Sequence, residues 1–69
     1  MYKLIKNPMT GKIDVVQRLS DNAFIPFDPA NTDYQQFKQA INDDTAQLED
    51  ADGMLMTAEE AKAFVATLP

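Results

Sequence analysis

Short apolar stretches alternate with turn residues over the first third of the chain. Residues 2–6 and 13–19 are rich in β-branched and aromatic side chains, and the segment between them contains a proline and a glycine. This arrangement is typical of two strands joined by a hairpin turn. The polar residues 20–22 supply a second turn, and residues 23–27 form a third apolar run. The pattern therefore predicts a three-stranded antiparallel meander.

The third predicted strand contains a proline, which limits where it can lie in a sheet. Pro26 has no N–H, so this strand is expected at the edge of the sheet, or its last residues leave the sheet. If Ile25 and Phe27 face the core, the alternation along a strand points Phe24 outward. Phe24 and Pro26 are therefore candidate contact residues for a partner protein.

An amphipathic helix is predicted after the turn at residues 28–32. Asn31 or Thr32 can cap its first turn, and Thr32 with Gln35 three residues later fits a capping box. The polar run 42–44 ends the helix. Its apolar face consists of Tyr34, Phe37 and Ile41.

A second helix is predicted near the end of the chain. Residues 42–53 are polar and acidic, with Leu48 as the one large apolar residue, and are interpreted as a connection. Thr57 and Glu60 then form a second capping box. The apolar face of this helix consists of Ala61, Phe64, Val65 and Leu68.

The order of elements predicts one α+β domain over residues 1–69. It consists of a three-stranded antiparallel β-meander followed by two short amphipathic helices packed on one face. A chain of 69 residues buries only about 60% of the surface that its unfolded form exposes. With no cysteine to form disulfides, we expect a small stability margin and an additional contact with a partner protein. That partner is a second copy, most simply in a homodimer, or a larger body.

The charge of the chain disfavours two classes of partner. Six basic and eleven acidic residues give a net charge of −5, which repels nucleic acids and anionic membranes. The basic residues are scattered, so no local basic patch reverses this expectation. No apolar run has the length of a membrane span or of a signal-peptide core. We expect a protein that is not secreted and stays in a cytoplasm or in a particle assembled there.

The residue types needed for catalysis are scarce. The chain has no histidine or cysteine, and its one serine, Ser20, lies in a predicted turn. The acidic pairs 43–44 and 59–60 fall at helix ends, where carboxylates are normally solvated. We predict that the protein is not an enzyme and binds no cofactor.

The acidic connection partly matches a calcium-binding loop. Asp50, Asp52 and Glu59 have the spacing of EF-hand ligands, but Leu48 occupies the first ligand position. The preferred interpretation is an Asp-Gly turn before a capped helix, with no metal. Asp50 and Asp52 remain candidate contacts for a basic partner.

The six aromatic residues allow two interpretations. They can form a stacking platform for single strands or sugars, or they can fill the core. Their helical spacing favours the core.

The middle of the chain resembles a small domain of bacteriophage proteins, often tail-associated ones. The likeness covers residues 16–41 and depends on Ile25-Pro26, Asp28, Asn31, Asp33-Tyr34 and Phe37. A Trp and a Gly-Asn-Thr-Pro stretch that tend to follow in longer relatives are absent. The resemblance implies a virion or tail-assembly component, located in the phage particle or in the cytoplasm of the infected host, and brings no catalytic residues. The alternative is a small acidic regulatory protein that binds a basic host target.

Overall fold

The computed structural model describes residues 1–69 as a four-stranded sheet and two helices. In chain order the elements are β1 (Tyr2–Lys6), β2 (Ile13–Arg18), β3 (Ala23–Pro26), α1 (Thr32–Asn42), β4 (Leu48–Glu49) and α2 (Ala58–Ala66). The strands lie in the order β3-β2-β1-β4. The predicted α+β class is confirmed, and the first three strands form the predicted antiparallel meander.

The sheet has a fourth strand that the sequence did not reveal. β4 pairs with β1 in parallel, with Leu48 opposite Tyr2 and Glu49 opposite Lys3. The prediction of a sheet with only three antiparallel strands was therefore wrong, as was the interpretation of this segment as a simple connection. A strand of two residues is too short to show alternation. Its sequence signal is a single apolar residue, Leu48, which is fully buried.

A bulge in the hairpin of β1 and β2 changes which residues share a face. Ile5 lies opposite Val15, whereas the next residue of β1, Lys6, lies opposite Ile13. An extra residue in one strand locally reverses the alternation of side chains. Ile13 consequently packs against the core, while Val15, two residues away, is not part of it.

Both helices pack on the same face of the sheet, which we call the covered face. One continuous cluster joins side chains of four strands with the apolar faces of α1 and α2. Its ten buried residues are Tyr2, Leu4, Val16, Ile25, Tyr34, Phe37, Ile41, Leu48, Ala61 and Val65. The predicted faces of the two helices are therefore confirmed at their central positions.

The two helices begin with different caps. The predicted capping box of Thr57 and Glu60 at the start of α2 is confirmed. The Glu60 N–H donates to Thr57 Oγ1 and the Thr57 N–H donates to Glu60 Oε1, both at 3.1 Å. The cap of α1 is Asn31, whose Oδ1 accepts from the Tyr34 N–H at 3.1 Å. The prediction of a capping box formed by Thr32 and Gln35 was wrong, because the Gln35 side chain donates instead to the carbonyl of Pro29.

The segment after β4 turns back and covers the outer edge of that strand. The Met56 N–H donates to the Leu48 carbonyl at 2.8 Å, and the Asp50 N–H donates to the Met54 carbonyl at 2.9 Å. Gly53 allows the turn with a φ of +85°. This leaves β3 as the open edge of the sheet. Neither helix is long and apolar enough to cross a membrane.

Candidate interaction surface

The face of the sheet opposite the helices carries an apolar patch, which we call the outer sheet face. Cross-strand pairing sets Ile5 beside Val15 and Val15 beside Pro26, forming one apolar row. A second row runs Phe24, Gln17, Lys3, Glu49 across the four strands. Ile5 and Val15 are only partly exposed, while Phe24 and Pro26 are exposed. No helix covers this apolar surface.

Phe24 is the most prominent feature of the outer sheet face. Phe24 is 65% exposed, whereas the next residue, Ile25, is 2% exposed. The predicted assignment of the two sides of β3 is therefore confirmed. The contact of Phe24 with a partner stays a prediction.

The backbone edge of β3 is poorly suited to pairing with another strand. The Phe27 N–H bonds to the Asp14 carbonyl, so the alternation of an antiparallel pair turns the backbone groups of Phe24 and Pro26 outward. Pro26 has no N–H, and its carbonyl already accepts from the Asp28 N–H at 2.9 Å. Within β3, only Phe24 offers a complete donor and acceptor pair. The side chains of this region are therefore a better docking feature than its edge.

One ion-pair network fixes the turn after β2 to the start of α1. Arg18 donates two bonds to the Asp21 carboxylate, at 2.8 and 3.0 Å, and one to Asp33 at 3.2 Å. Arg18, together with the Ala23 N–H, lowers the pKa of Asp21 to about 2. The same two carboxylates raise the pKa of Arg18. The network is a structural link, with all of its charges paired.

The acidic turn after β4 uses one of its carboxylates to hold its own backbone. Asp50 Oδ1 accepts from the N–H groups of Asp52 and Met54, both at 2.9 Å. The structure does not bring Asp50, Asp52 and Glu59 together, and it contains no group of three acidic side chains placed to hold a metal ion. Asp52 is exposed at the tip of the turn.

The other acidic residues considered for catalysis are separated by the fold. Asp44 forms an ion pair with Lys62 at 2.9 Å, and Glu60 caps α2. Ser20 is exposed in a turn. A cavity of about 210 Å³ lies between the end of α1, β4 and α2, and Asp44 is the only acidic residue in its lining. The other lining residues of the cavity are Gln47 and six apolar residues: Ile41, Ala46, Leu48, Met56, Ala58 and Ala61. This arrangement can hold an apolar group but assembles no pair of groups for acid–base work.

The aromatic residues other than Phe24 belong to the core, as predicted. The Tyr2 and Phe37 rings meet edge to face with centroids 4.9 Å apart, and the Phe27 ring lies 5.6 Å from Tyr34. Burial raises the pKa of Tyr34, whose hydroxyl donates to the Pro69 carbonyl at 2.9 Å. A stacking platform is therefore not formed.

The residues that carry the phage resemblance have identifiable roles in folding. Asn31 caps α1 and Asp33 pairs with Arg18. Asp28 accepts from the Ala30 N–H at 3.0 Å and so shapes the turn. Three further motif residues, Ile25, Tyr34 and Phe37, are buried. Only Pro26 lies on the outer sheet face, so the motif encodes a local fold more than a binding site.

Sequence reasoning missed two residues of the outer sheet face, Ile5 and Val15. Alternation along β1 places Ile5 opposite to the buried Leu4, which is a usable signal. For Val15 the bulge hides the signal, because Ile13 has the same spacing and faces the core. Comparison with models of protein families, with curated proteins and with solved structures finds no match to this chain.

Proposed function

We propose that this chain is a non-enzymatic protein-interaction module that docks through its outer sheet face. The observation that carries the proposal is the apolar row Ile5, Val15 and Pro26 with the exposed Phe24 beside it. Contiguous apolar surface without a covering element marks an interaction site in soluble proteins. Aromatic side chains are enriched among the interface residues that contribute most to binding.

The biological setting that we propose is a bacteriophage particle or its assembly. The support is the resemblance of residues 16–41 to a domain of tail-associated phage proteins, whose motif residues form the turn and cap before α1. In this setting the chain works in the cytoplasm of the infected cell or as part of the virion. Its partners are proteins, with no role for nucleic acid or membrane, in keeping with a net charge of −5.

The second candidate, an acidic regulator of a basic host protein, has weaker support. Asp50 is engaged in its own turn and Asp44 is paired with Lys62, so these carboxylates are partly satisfied within the fold. Asp52 is exposed and remains the best acidic contact for a basic partner.

Purification of a tagged chain from the cells that naturally produce it tests the two candidates against each other. Phe24→Asp and Val15→Glu are expected to lose the copurifying protein. Met54→Asp is the matched control, since Met54 is 67% exposed and lies in the turn after β4. Neutralising Asp43, Asp44, Asp50 and Asp52 together is expected to leave the contact intact, because all four lie outside the strands of the sheet. Loss of the partner in this acidic variant alone would support the regulator instead.

A further inference from the structure

The outer sheet face differs from the rest of the molecule in its charge. The charged residues of its second row are Lys3 and Glu49, which lie opposite each other on β1 and β4. Their charges cancel, so the net charge of −5 is carried by the other residues of the chain. Two copies therefore repel each other in every orientation, but least when these faces meet.

We propose that the outer sheet face binds the same face of a second copy, forming a homodimer with two sheets packed against each other. This proposal names the partner of the surface described under "Proposed function" and rests on that function. A symmetric contact joins one patch to itself, so an apolar patch without net charge suits it because such a patch does not repel its own copy. Ile5, Val15, Pro26 and Phe24 supply the apolar side chains, and the pair of Lys3 and Glu49 leaves the face without net charge. Two sheets in such contact lie about 10 Å apart with interdigitated side chains.

Strand addition at β3 is not the proposed mode. Pro26 interrupts the edge, and only Phe24 has both backbone groups directed outward. Face-to-face packing uses the side chains and leaves this short edge unpaired.

The isolated protomer has the surface area of a folded monomer. Its accessible surface is 4414 Å², and a monomer of this mass is expected to expose about 4,300 Å². The protomer is therefore as compact as a folded monomer. Variants of the outer sheet face are expected to fold, because its residues are not part of the core cluster. A face of four short strands gives an interface at the small end of the known range, which is typical of weak or transient contacts.

Sedimentation equilibrium over a range of about 5–500 µM tests the proposal directly. The apparent mass of the wild-type chain is expected to rise across this range towards twice the monomer mass. Phe24→Asp and Val15→Glu are expected to raise the dissociation constant at least about tenfold, because each places a charge among the apolar side chains of this face. Met54→Asp introduces the same kind of charge at an exposed methionine outside the face and is expected to behave as the wild type.

The charge argument has its own matched pair of variants. Lys3→Glu and Lys12→Glu change the net charge equally, but Lys3 lies in the second row and Lys12 in the turn between β1 and β2. Lys3→Glu is expected to weaken the dimer by a larger factor than Lys12→Glu. Added salt is expected to strengthen the wild-type dimer, since it screens the repulsion between two acidic protomers.

A wild-type chain that stays monomeric throughout the concentration range would overturn the second-copy proposal. The purification from native cells would still test docking to a different protein. Failure of the dimer proposal can therefore be distinguished from failure of the proposed interaction function. Equal weakening by Met54→Asp and Phe24→Asp would overturn the assignment to this face. If Phe24→Asp does not melt cooperatively, the dissociation constant of Val15→Thr tests the proposal instead. This substitution removes apolar contact while keeping a β-branched side chain. An unchanged dissociation constant in Val15→Thr would then also contradict the proposal.

Discussion

The covered face and the outer sheet face are built from alternate residues of the same strands, yet they make very different contacts. On the covered face, Leu4, Val16 and Ile25 are at most 2% exposed and lie beneath two helices. On the outer sheet face, Phe24 keeps 65% of its surface exposed with no element above it. A small chain that could have buried this ring leaves it outside. The difference separates residues that serve folding from residues available for binding.

Replacing one aromatic residue on each side is expected to give the largest contrast. Phe37→Ala should cost about 3–5 kcal/mol, since a fully buried ring that contacts Tyr2 leaves a cavity behind. Phe24→Ala should change the free energy of unfolding by less than about 0.5 kcal/mol in the monomer. Urea titration at low protein concentration measures both values.

The loss expected for Phe37→Ala approaches the whole stability of a domain of this size. A cooperative transition for Phe37→Ala at the wild-type midpoint would show that the ring is not part of a packed core. Destabilisation by Phe24→Ala of similar size would remove the distinction between the two faces.

The short strand β4 provides the next contrast. Leu48→Ala is expected to cost about 2–5 kcal/mol, because Leu48 is fully buried between β1 and the helices. Leu55 lies opposite Glu49 but is 54% exposed, so Leu55→Ala is the matched control and should have little effect. Thermal melts of both variants test the assignment. Equal melting temperatures would contradict a role for β4 in the core.

Strand β4 also shows which parts of the fold could be predicted from the sequence. The long elements follow from periodic patterns and turns, and β1 and the cap at Thr57 were placed correctly. β4 has no period to detect, since its position depends on the distant pairing with β1. The side chains of the outer sheet face were only partly predictable. Phe24 follows from local alternation, whereas Val15 depends on a bulge set by the pairing of two strands.

The N-terminal caps of the two helices that pack on the covered face are expected to contribute less to stability than the core residues. Asn31→Ala and Thr57→Ala are each expected to cost about 0.5–2 kcal/mol, because each side chain satisfies one free N–H of a first turn. Thr32→Ala is the control for α1, since Thr32 is already inside the helix. Its effect on the melting temperature should be smaller than that of Asn31→Ala. A larger effect would restore Thr32 as the cap.

The smallest expected effect concerns the ion-pair network that joins the turn after β2 to α1. Arg18 lowers the pKa of Asp21 from 3.8 to about 2, so the folded state favours the ionised carboxylate. The stabilisation by Asp21 is therefore complete above about pH 4 and is lost as the pH falls through about 2. Asp21→Asn should lower the melting temperature slightly near neutral pH, and the difference from wild type should vanish towards pH 2.

Melting temperatures measured from neutral pH down to about pH 2 test this dependence. Asp52→Asn removes the same charge where no ion pair exists and serves as the control. Because Asp21 is exposed, added salt should reduce the effect of Asp21→Asn. A difference between Asp21→Asn and wild type that is constant over the whole pH range would mean that the charge of the Asp21 carboxylate does not stabilise this turn.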